Sequence, residues 1–161
     1  MRHIFVLCAI IFTLTSCESR NELPPEVLKT VVTIHTISQL PVKGRLFDEI
    51  NIEGQKIYIS RRPILTNKQI VRSEPVQYTD DKYGLKLQLT FSGGIRWQQA
   101  SVEHGGMHAV MKIGGQFKCF IKIARERNLE DVRIDTPFSK EEAEKVSQDI
   151  IRNYIAIKEK S

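Results

Sequence analysis

Apolar and polar side chains alternate strictly between residues 84 and 91. Successive side chains of an extended chain point to opposite faces, so alternation with a period of two is typical of a half-buried β-strand. The apolar side chains that would share the buried face are Leu85, Leu87, Leu89 and Phe91. This segment is therefore predicted to be a strand that turns one face to the core.

Further segments have the β-branched content or the alternation of strands. They lie at residues 31–37, 50–52, 57–59, 107–113, 116–123 and 132–134. The second and third of these flank Glu53-Gly54-Gln55 and are predicted to form a hairpin. The fourth and fifth are joined by Gly114-Gly115, and two glycines free to take positive φ predict a tight turn there.

Two helices and one shorter helical turn are predicted between and after these strands. Ser92 is the expected N-cap of a helix that ends near His104, where Gly105-Gly106 follows. One side of this helix would carry Trp97, Ala100, Ser101 and His104. A brief helix is also expected after residue 65, with Thr66 or Asn67 as its cap.

The final helix has the most complete start signal in the chain. Residues 139–142, Ser-Lys-Glu-Glu, match a capping box, and Phe138 is placed for a hydrophobic staple against Ala143. An apolar stripe at helical spacing follows through Ala143, Val146, Ile150, Tyr154 and Ile157. We expect this stripe to pack on the sheet.

The order of elements from Gly84 onward is strand, helix, strand, strand, strand, helix. Hairpins pair their strands antiparallel, and each amphipathic helix needs an apolar surface to cover. The expected architecture is therefore an α+β fold, with an antiparallel-rich sheet and two helices packed on one face. With 161 residues the chain has room for one such core.

The N-terminal segment has the composition of an export leader. Met1-Arg2-His3 supplies a positive start, residues 4–14 are nearly all apolar, and Leu14-Thr15-Ser16-Cys17 closes the segment. An apolar run of about 11 residues falls well short of the ~20 that a membrane-spanning helix needs. The closing tetrapeptide resembles the lipobox of bacterial lipoproteins, whose cysteine is lipidated and becomes the new N-terminus. A conventionally cleaved leader is the alternative.

These features divide the chain into three parts. Residues 1–16 are predicted to be a lipoprotein signal peptide, residues 17–28 a lipidated N-terminus and tether, and residues 29–161 a single α+β domain. Pro24-Pro25 among polar residues suits an extended tether. The expected location is the cell envelope, with the domain anchored in the membrane through Cys17 and facing the periplasm or the extracytoplasmic side.

The charge distribution bears on the choice of partner. The formal net charge is +5, and it falls by one when Arg2 leaves with the leader. Lys and Arg are interleaved with Glu and Asp, whereas nucleic-acid-binding proteins concentrate positive charge on one face. Nucleic acid is therefore not an expected partner, and the small positive excess suits a weak attraction to anionic lipid headgroups.

Cys119 would be the one free thiol of the domain, because Cys8 lies in the leader and Cys17 takes the lipid. It belongs to an alternating stretch whose predicted common face comprises Phe117, Cys119, Ile121 and Ile123. A cysteine on such a face is expected to be buried and inert rather than a nucleophile.

Several segments in order resemble a known family, the head of the first periplasmic domain in SecD and SecF, membrane subunits that assist bacterial protein export. The likeness is carried by residues 63–66 with Ile70, 84–90, 93–104 followed by Gly106, 109–111, 115–117 and 137–143. It covers about residues 61–150. The sequence departs from the family at Cys119-Phe120-Ile121-Lys122, where the family's hairpin usually continues into a serine-alanine-proline stretch.

The resemblance implies a recognition domain that contacts the exported polypeptide. The family's membrane helices are absent from this sequence, so the resemblance does not imply proton conduction or a translocase motor. We expect a membrane-anchored envelope lipoprotein whose domain binds an unfolded secretory polypeptide or an envelope protein, in connection with protein export.

One cluster of potential metal ligands, residues 103–108, contains His104 and His108. Histidines four apart share a helix face in zinc sites, but Gly105-Gly106 is expected to break the helix between them. No phosphate-binding loop or nucleophile with its base is visible, so no catalytic, cofactor-binding or metal residue is assigned. A metal-binding or hydrolytic envelope enzyme is the alternative, which a convergence of His35, His104 and His108 in space would favour.

Overall fold

The computed structural model describes residues 31–38, 46–52, 54–125 and 131–159. The predicted signal peptide, Cys17 and the tether lie outside the described residues. The strands are β1 (Val32–Ser38), β2 (Phe47–Ile52), β3 (Gln55–Ser60), β4 (Leu65–Thr66), β5 (Ile70–Thr79), β6 (Lys82–Leu89), β7 (His108–Ile113), β8 (Gln116–Lys122) and β9 (Asp131–Phe138). The helices are a 3-10 turn (Asn67–Gln69), α1 (Phe91–His104) and α2 (Lys140–Glu159).

The larger sheet is antiparallel and has the strand order β2-β3-β1-β7-β8, with the short β4 also pairing with β1. Residues 32–36 of the central β1 pair with residues 113–109 of β7. Its far end pairs with β3, at Ile37↔Ile59 and Ser38↔Tyr58. β2 and β8 therefore form the two edges of this sheet.

The smaller sheet has the order β5-β6-β9 and is also antiparallel. α2 packs along β5 and β6, while α1 contacts β6, β4 and the 3-10 turn. One core lies between these elements, and its largest fully buried side chains include Trp97, Phe138, Ile34, Leu65, Ile70, Leu85, Leu87, Met111, Ile121 and Ile134. This curled antiparallel architecture with two helices confirms the predicted α+β fold class.

The predicted turns form as expected. In the β2–β3 hairpin Ile50 pairs with Ile57. Gly114 and Gly115, between β7 and β8, have φ of 60° and 81°, a region that favours glycine. Thr66 caps the 3-10 turn. Local chemistry was sufficient to place these elements because each turn depends on residues adjacent in sequence.

The prediction for the end of β6 is wrong. β6 ends at Leu89, and Phe91 is the first residue of α1, where it is 81% exposed rather than buried. The N-cap is Thr90 instead of Ser92, since the Thr90 Oγ1 accepts a hydrogen bond from the Gly93 amide at 3.1 Å. The two hydroxyl residues offer the same acceptor, and the extended backbone of Thr90 decides between them.

One strand was not predicted from the sequence, and another is longer than predicted. The ten-residue β5 was not predicted, because it contains Pro75 and alternates weakly. It forms an edge of the smaller sheet, where a residue without an amide hydrogen is tolerated. β9 extends to Phe138, beyond the residues 132–134 that were expected. In both cases pairing with β6 extends a strand that its own sequence specifies only weakly.

The start of α2 forms one half of the predicted capping box, because the Glu142 carboxylate pairs with Lys118 and does not accept from the Ser139 amide. The Ser139 Oγ accepts a hydrogen bond from the Glu142 amide at 3.2 Å. The Glu142 carboxylate forms an ion pair with the Lys118 Nζ on β8. Phe138 and Ala143 are buried in the same core cluster, as a hydrophobic staple requires. The fully or largely buried members of the predicted stripe are Ala143, Val146 and Ile150.

Candidate functional site

The two faces of the larger sheet have different surroundings. The inner face belongs to the core and carries Val32, Ile34, Ala109, Met111, Cys119 and Ile121. The outer face carries a separate apolar cluster, which we call the outer cluster. It contains Ile57, Ile59 and Val110, with Ile37, Ile50 and Ile52 packed against them. Alternate residues of the same strands therefore supply apolar surface to both faces.

An open groove lies beside the outer cluster and has a volume of about 660 Å³. We call it the outer groove. Its lining residues are Ile37, Ile52, Gln55, Lys56, Ile57, His108 and Phe120. Apolar side chains together with a few polar ones are the usual composition of a site that receives a ligand or partner. The geometry thus favours a binding surface on this face of the sheet.

Two aromatic rings of β8 meet on the outer face. The prediction that Phe117 shares a face with Cys119 is wrong, because the pairing with β7 shifts register between these two residues. A β-bulge of this kind redirects the side chains that follow it. Phe117 consequently lies against Phe120, edge to face, with ring centroids 5.2 Å apart. The His108 ring also lies edge to face with Phe120, with ring centroids 6.4 Å apart.

His35 lies on the outer face opposite Val110 and is 7% exposed. Its Nδ1 is 2.7 Å from the Ser60 carbonyl oxygen, and its Nε2 is 2.8 Å from the Thr33 hydroxyl. A carbonyl only accepts, so Nδ1 carries the proton of the neutral ring and Nε2 accepts from the hydroxyl. Burial lowers the pKa of His35, although the bond to Ser60 acts in the opposite direction. His35 is therefore a buried strand residue whose two ring nitrogens both have hydrogen-bond partners.

The three histidines do not form one site. His108 lines the outer groove, whereas His104 borders a different cavity at the end of α1. The His104 Nε2 is 3.7 Å from a carboxylate oxygen of Glu103. Among the residues that the structure describes, no group of three His, Cys, Asp or Glu side chains is placed to hold a metal ion.

Cys119 is 5% exposed and lies on the inner face. Burial raises the pKa of its thiol to about 11, with Lys118 acting in the opposite direction. A thiol with such a pKa is protonated at neutral pH and is a poor nucleophile. The prediction of a buried cysteine is confirmed.

The outer groove was not found from the sequence. Ile50, Ile52 and Ile57 were assigned only to a hairpin, since alternation shows which residues share a face but not what that face contacts. One feature of the sequence pointed to an apolar outer face. Phe117 and Phe120 are three residues apart in β8, so regular alternation cannot place both in the core.

The structure shares its fold with SecDF. A solved structure of SecDF, described as a membrane component that enhances protein export, matches with a TM-score of 0.56 at 13% identity over 76% of this chain. A structure of SecDF in its super-membrane-facing form matches with a TM-score of 0.55 at 14% identity, also over 76% of this chain. This chain covers 62% of the first SecDF chain and 19% of the second. No family model and no curated protein matches the sequence.

The resemblance predicted from the sequence is thereby confirmed at the level of fold, since the chain has a SecD/SecF-like head-domain fold. In the described ranges, no helix has both the length and the apolar composition to cross a membrane.

Proposed function

We propose that this chain is a cell-envelope lipoprotein whose domain binds a polypeptide partner in connection with protein export. The outer groove is the observation that carries the proposal. It offers apolar surface beside a pair of partly exposed aromatic rings, Phe117 and Phe120. Large exposed apolar side chains that cluster in this way mark interaction sites on soluble domains.

The groove suits an extended, unfolded segment better than a compact small molecule. It is open along the sheet surface, and its lining combines apolar side chains with the polar Gln55, Lys56 and His108, which suits the mixed side chains and backbone of an extended chain. Burying one Val, Leu, Ile or Phe side chain contributes about 1.5–3 kcal/mol, so each apolar client residue buried in the groove raises affinity against the cost of association. Such binding would tolerate many client sequences, as an export-related partner requires.

The anchoring half of the proposal concerns residues 1–28, with Cys17 as the lipidated residue and the segment before the domain as tether. It is supported by the lipobox-like Leu14-Thr15-Ser16-Cys17 and the short apolar run before it. A tether holds the domain near the membrane surface, which raises its effective concentration toward clients that emerge there.

The binding proposal is tested with the full chain held in lipid nanodiscs and a fluorescent, reduced and alkylated secretory protein as client. We expect Phe120→Ser to weaken binding about tenfold, because the client loses one buried aromatic contact. Ile155→Ser is the matched control, since Ile155 is 50% exposed on α2. Equal affinities of the Phe120 variant and the control would refute a role for the groove.

The anchoring proposal is tested by mass spectrometry of the protein isolated from membranes. The expected N-terminus is an acylated Cys17, and Cys17→Ala is expected to leave the protein unprocessed or outside the membrane fraction. An N-terminus at any other residue would contradict the assignment.

A further inference from the structure

β2 is an edge strand, and among the residues that the structure describes no strand pairs with its outward side. Its six residues pair with β3 without a register shift, from Phe47↔Ser60 to Ile52↔Gln55. The Arg61 amide donates to the Leu46 carbonyl at 2.8 Å, which shows that the backbone groups of residue 46 point toward β3. Orientation alternates along a strand, so the groups of Phe47, Glu49 and Asn51 point away from the sheet.

The other strand edges of the described part of the chain carry features that discourage pairing. β5 contains Pro75 and has register shifts near both ends. β8 and β9 lie next to each other, and each has a register shift in its own ladder. Bulges, prolines and covered edges are the devices by which proteins prevent strand addition. β2 has neither a proline nor a bulge.

The charges on β2 are neutralised within the sheet. Asp48 pairs with the Arg61 Nε at 2.6 Å, and Glu49 pairs with the Lys56 Nζ at 2.8 Å. Unpaired charges on an edge repel an incoming strand, but acids already paired with cations do so much less. Within the described part of the chain, the charges of β2 therefore leave its outward backbone groups able to pair with another strand.

The outer cluster indicates what an added strand would gain. Ile50 and Ile52 project to the outer face, where they are only half-buried at the margin of the cluster. A strand beside β2 would set alternate side chains next to these two, while its other side chains would flank the polar Glu49 and Asn51. The edge thus suits an extended segment in which apolar and polar residues alternate.

We propose that a polypeptide client binds by adding a strand to β2, with its apolar side chains extending the outer cluster past Ile50 and Ile52. This inference rests on the proposed polypeptide-binding function and specifies how the client is held. Backbone hydrogen bonds to residues 47, 49 and 51 would supply sequence-independent affinity, and the apolar cluster would select for alternation.

The test compares Asn51→Pro with Asn51→Ala in the full chain in nanodiscs. The probe is a fluorescent peptide in which valine alternates with threonine or lysine. Proline removes one outward donor without removing a β2–β3 hydrogen bond, whereas alanine keeps that donor. We expect the proline variant to bind about fivefold or more weakly than the alanine variant, as the loss of one backbone bond and the bulk of the ring imply.

A second measurement does not depend on how the variant folds. The same peptide is N-methylated at alternate residues, which removes the N–H groups that would donate to β2. This peptide should lose most of its affinity for the protein without substitutions. Hydrogen exchange at the amides of Glu49 and Asn51 should slow when the unmethylated peptide binds.

The outcomes separate the two proposals. Binding that is unaffected by both Asn51→Pro and N-methylation would overturn strand addition and leave the groove as the binding site. Absence of binding by the unmodified chain, to this peptide and to the unfolded secretory protein alike, would overturn the proposed function and the inference together.

Discussion

The rings of Phe117 and Phe120 lie edge to face, 5.2 Å apart, on the outer face of the larger sheet. The two residues are three apart in a strand, so regular alternation would put them on opposite faces. The bulge opposite β7 brings them together. Each ring stays partly exposed, at 38% and 36%, so the pair is available to a partner.

The aromatic pair is expected to show measurable coupling. Edge-to-face pairs contribute about 0.5–1.5 kcal/mol beyond area burial, so a double-mutant cycle with Phe117→Ala and Phe120→Ala should give a coupling energy in that range. Denaturant unfolding of the full chain in nanodiscs measures it. Strict additivity of the two substitutions would show that the rings do not contact each other.

Substitution of Ile150 should destabilise the domain far more than substitution of Ile155 on the same helix. Ile150 is fully buried in the core and Ile155 is 50% exposed. We expect Ile150→Ala to lower the free energy of unfolding by about 2–5 kcal/mol and Ile155→Ala to change it by less than about 0.5 kcal/mol. Unfolding curves of both variants provide the comparison, and equal effects would indicate a different rotation of α2.

Two substitutions show whether Thr90 or Ser92 is the N-cap of α1. Thr90 accepts the hydrogen bond from the Gly93 amide, and Ser92 lies already inside the helix. Thr90→Ala should cost about 0.5–2 kcal/mol, whereas Ser92→Ala should cost only a few tenths. Thermal unfolding of the two variants measures the difference. A larger effect at Ser92 would restore the assignment made from the sequence.

Stability should fall on mild acidification because of His35. Burial lowers its pKa in the folded state from 6.5, so the unfolded chain binds the proton more readily. The unfolded state therefore gains protons first as the pH drops below about 7, and the free energy of unfolding decreases down to the folded pKa. Above the pKa of His35 in the unfolded state, this residue is neutral in both states and no longer changes the free energy of unfolding.

Unfolding experiments between about pH 5 and 7.5 measure this slope, with His35→Gln as the comparison. The variant cannot titrate at this position and should have a flatter profile over that interval. A slope that is the same in both proteins would assign the effect to other groups.

Cys119 should resist alkylation until the domain unfolds. Its thiol is buried, and burial raises its pKa to about 11, so little thiolate exists near neutral pH. Peptide mapping after iodoacetamide treatment at about pH 8, with and without denaturant, should find the Cys119 peptide modified only in denaturant. Rapid modification of the native protein would mean that β8 opens readily.

The sequence predicted the elements whose cause is local. The start of α2 follows from Ser139 and Phe138, and the β7–β8 turn follows from Gly114 and Gly115, because a cap or a turn is completed within a few residues. The SecD/SecF-like fold was also recognisable, since its segments keep their order along the chain. The same local reasoning misassigned Thr90 and Ser92, where two hydroxyl residues compete for one role.

Tertiary structure alone decided the position of β5 and the composition of the candidate site. β5 becomes a strand through its ladder with β6 despite Pro75, and Phe117 reaches the outer face because the register against β7 shifts. The outer groove joins residues of β1, β2, β3, β7 and β8 that are far apart in sequence. Register and the covering of a sheet face depend on partners at long sequence separation, whereas capping, turn formation and alternation depend on neighbours.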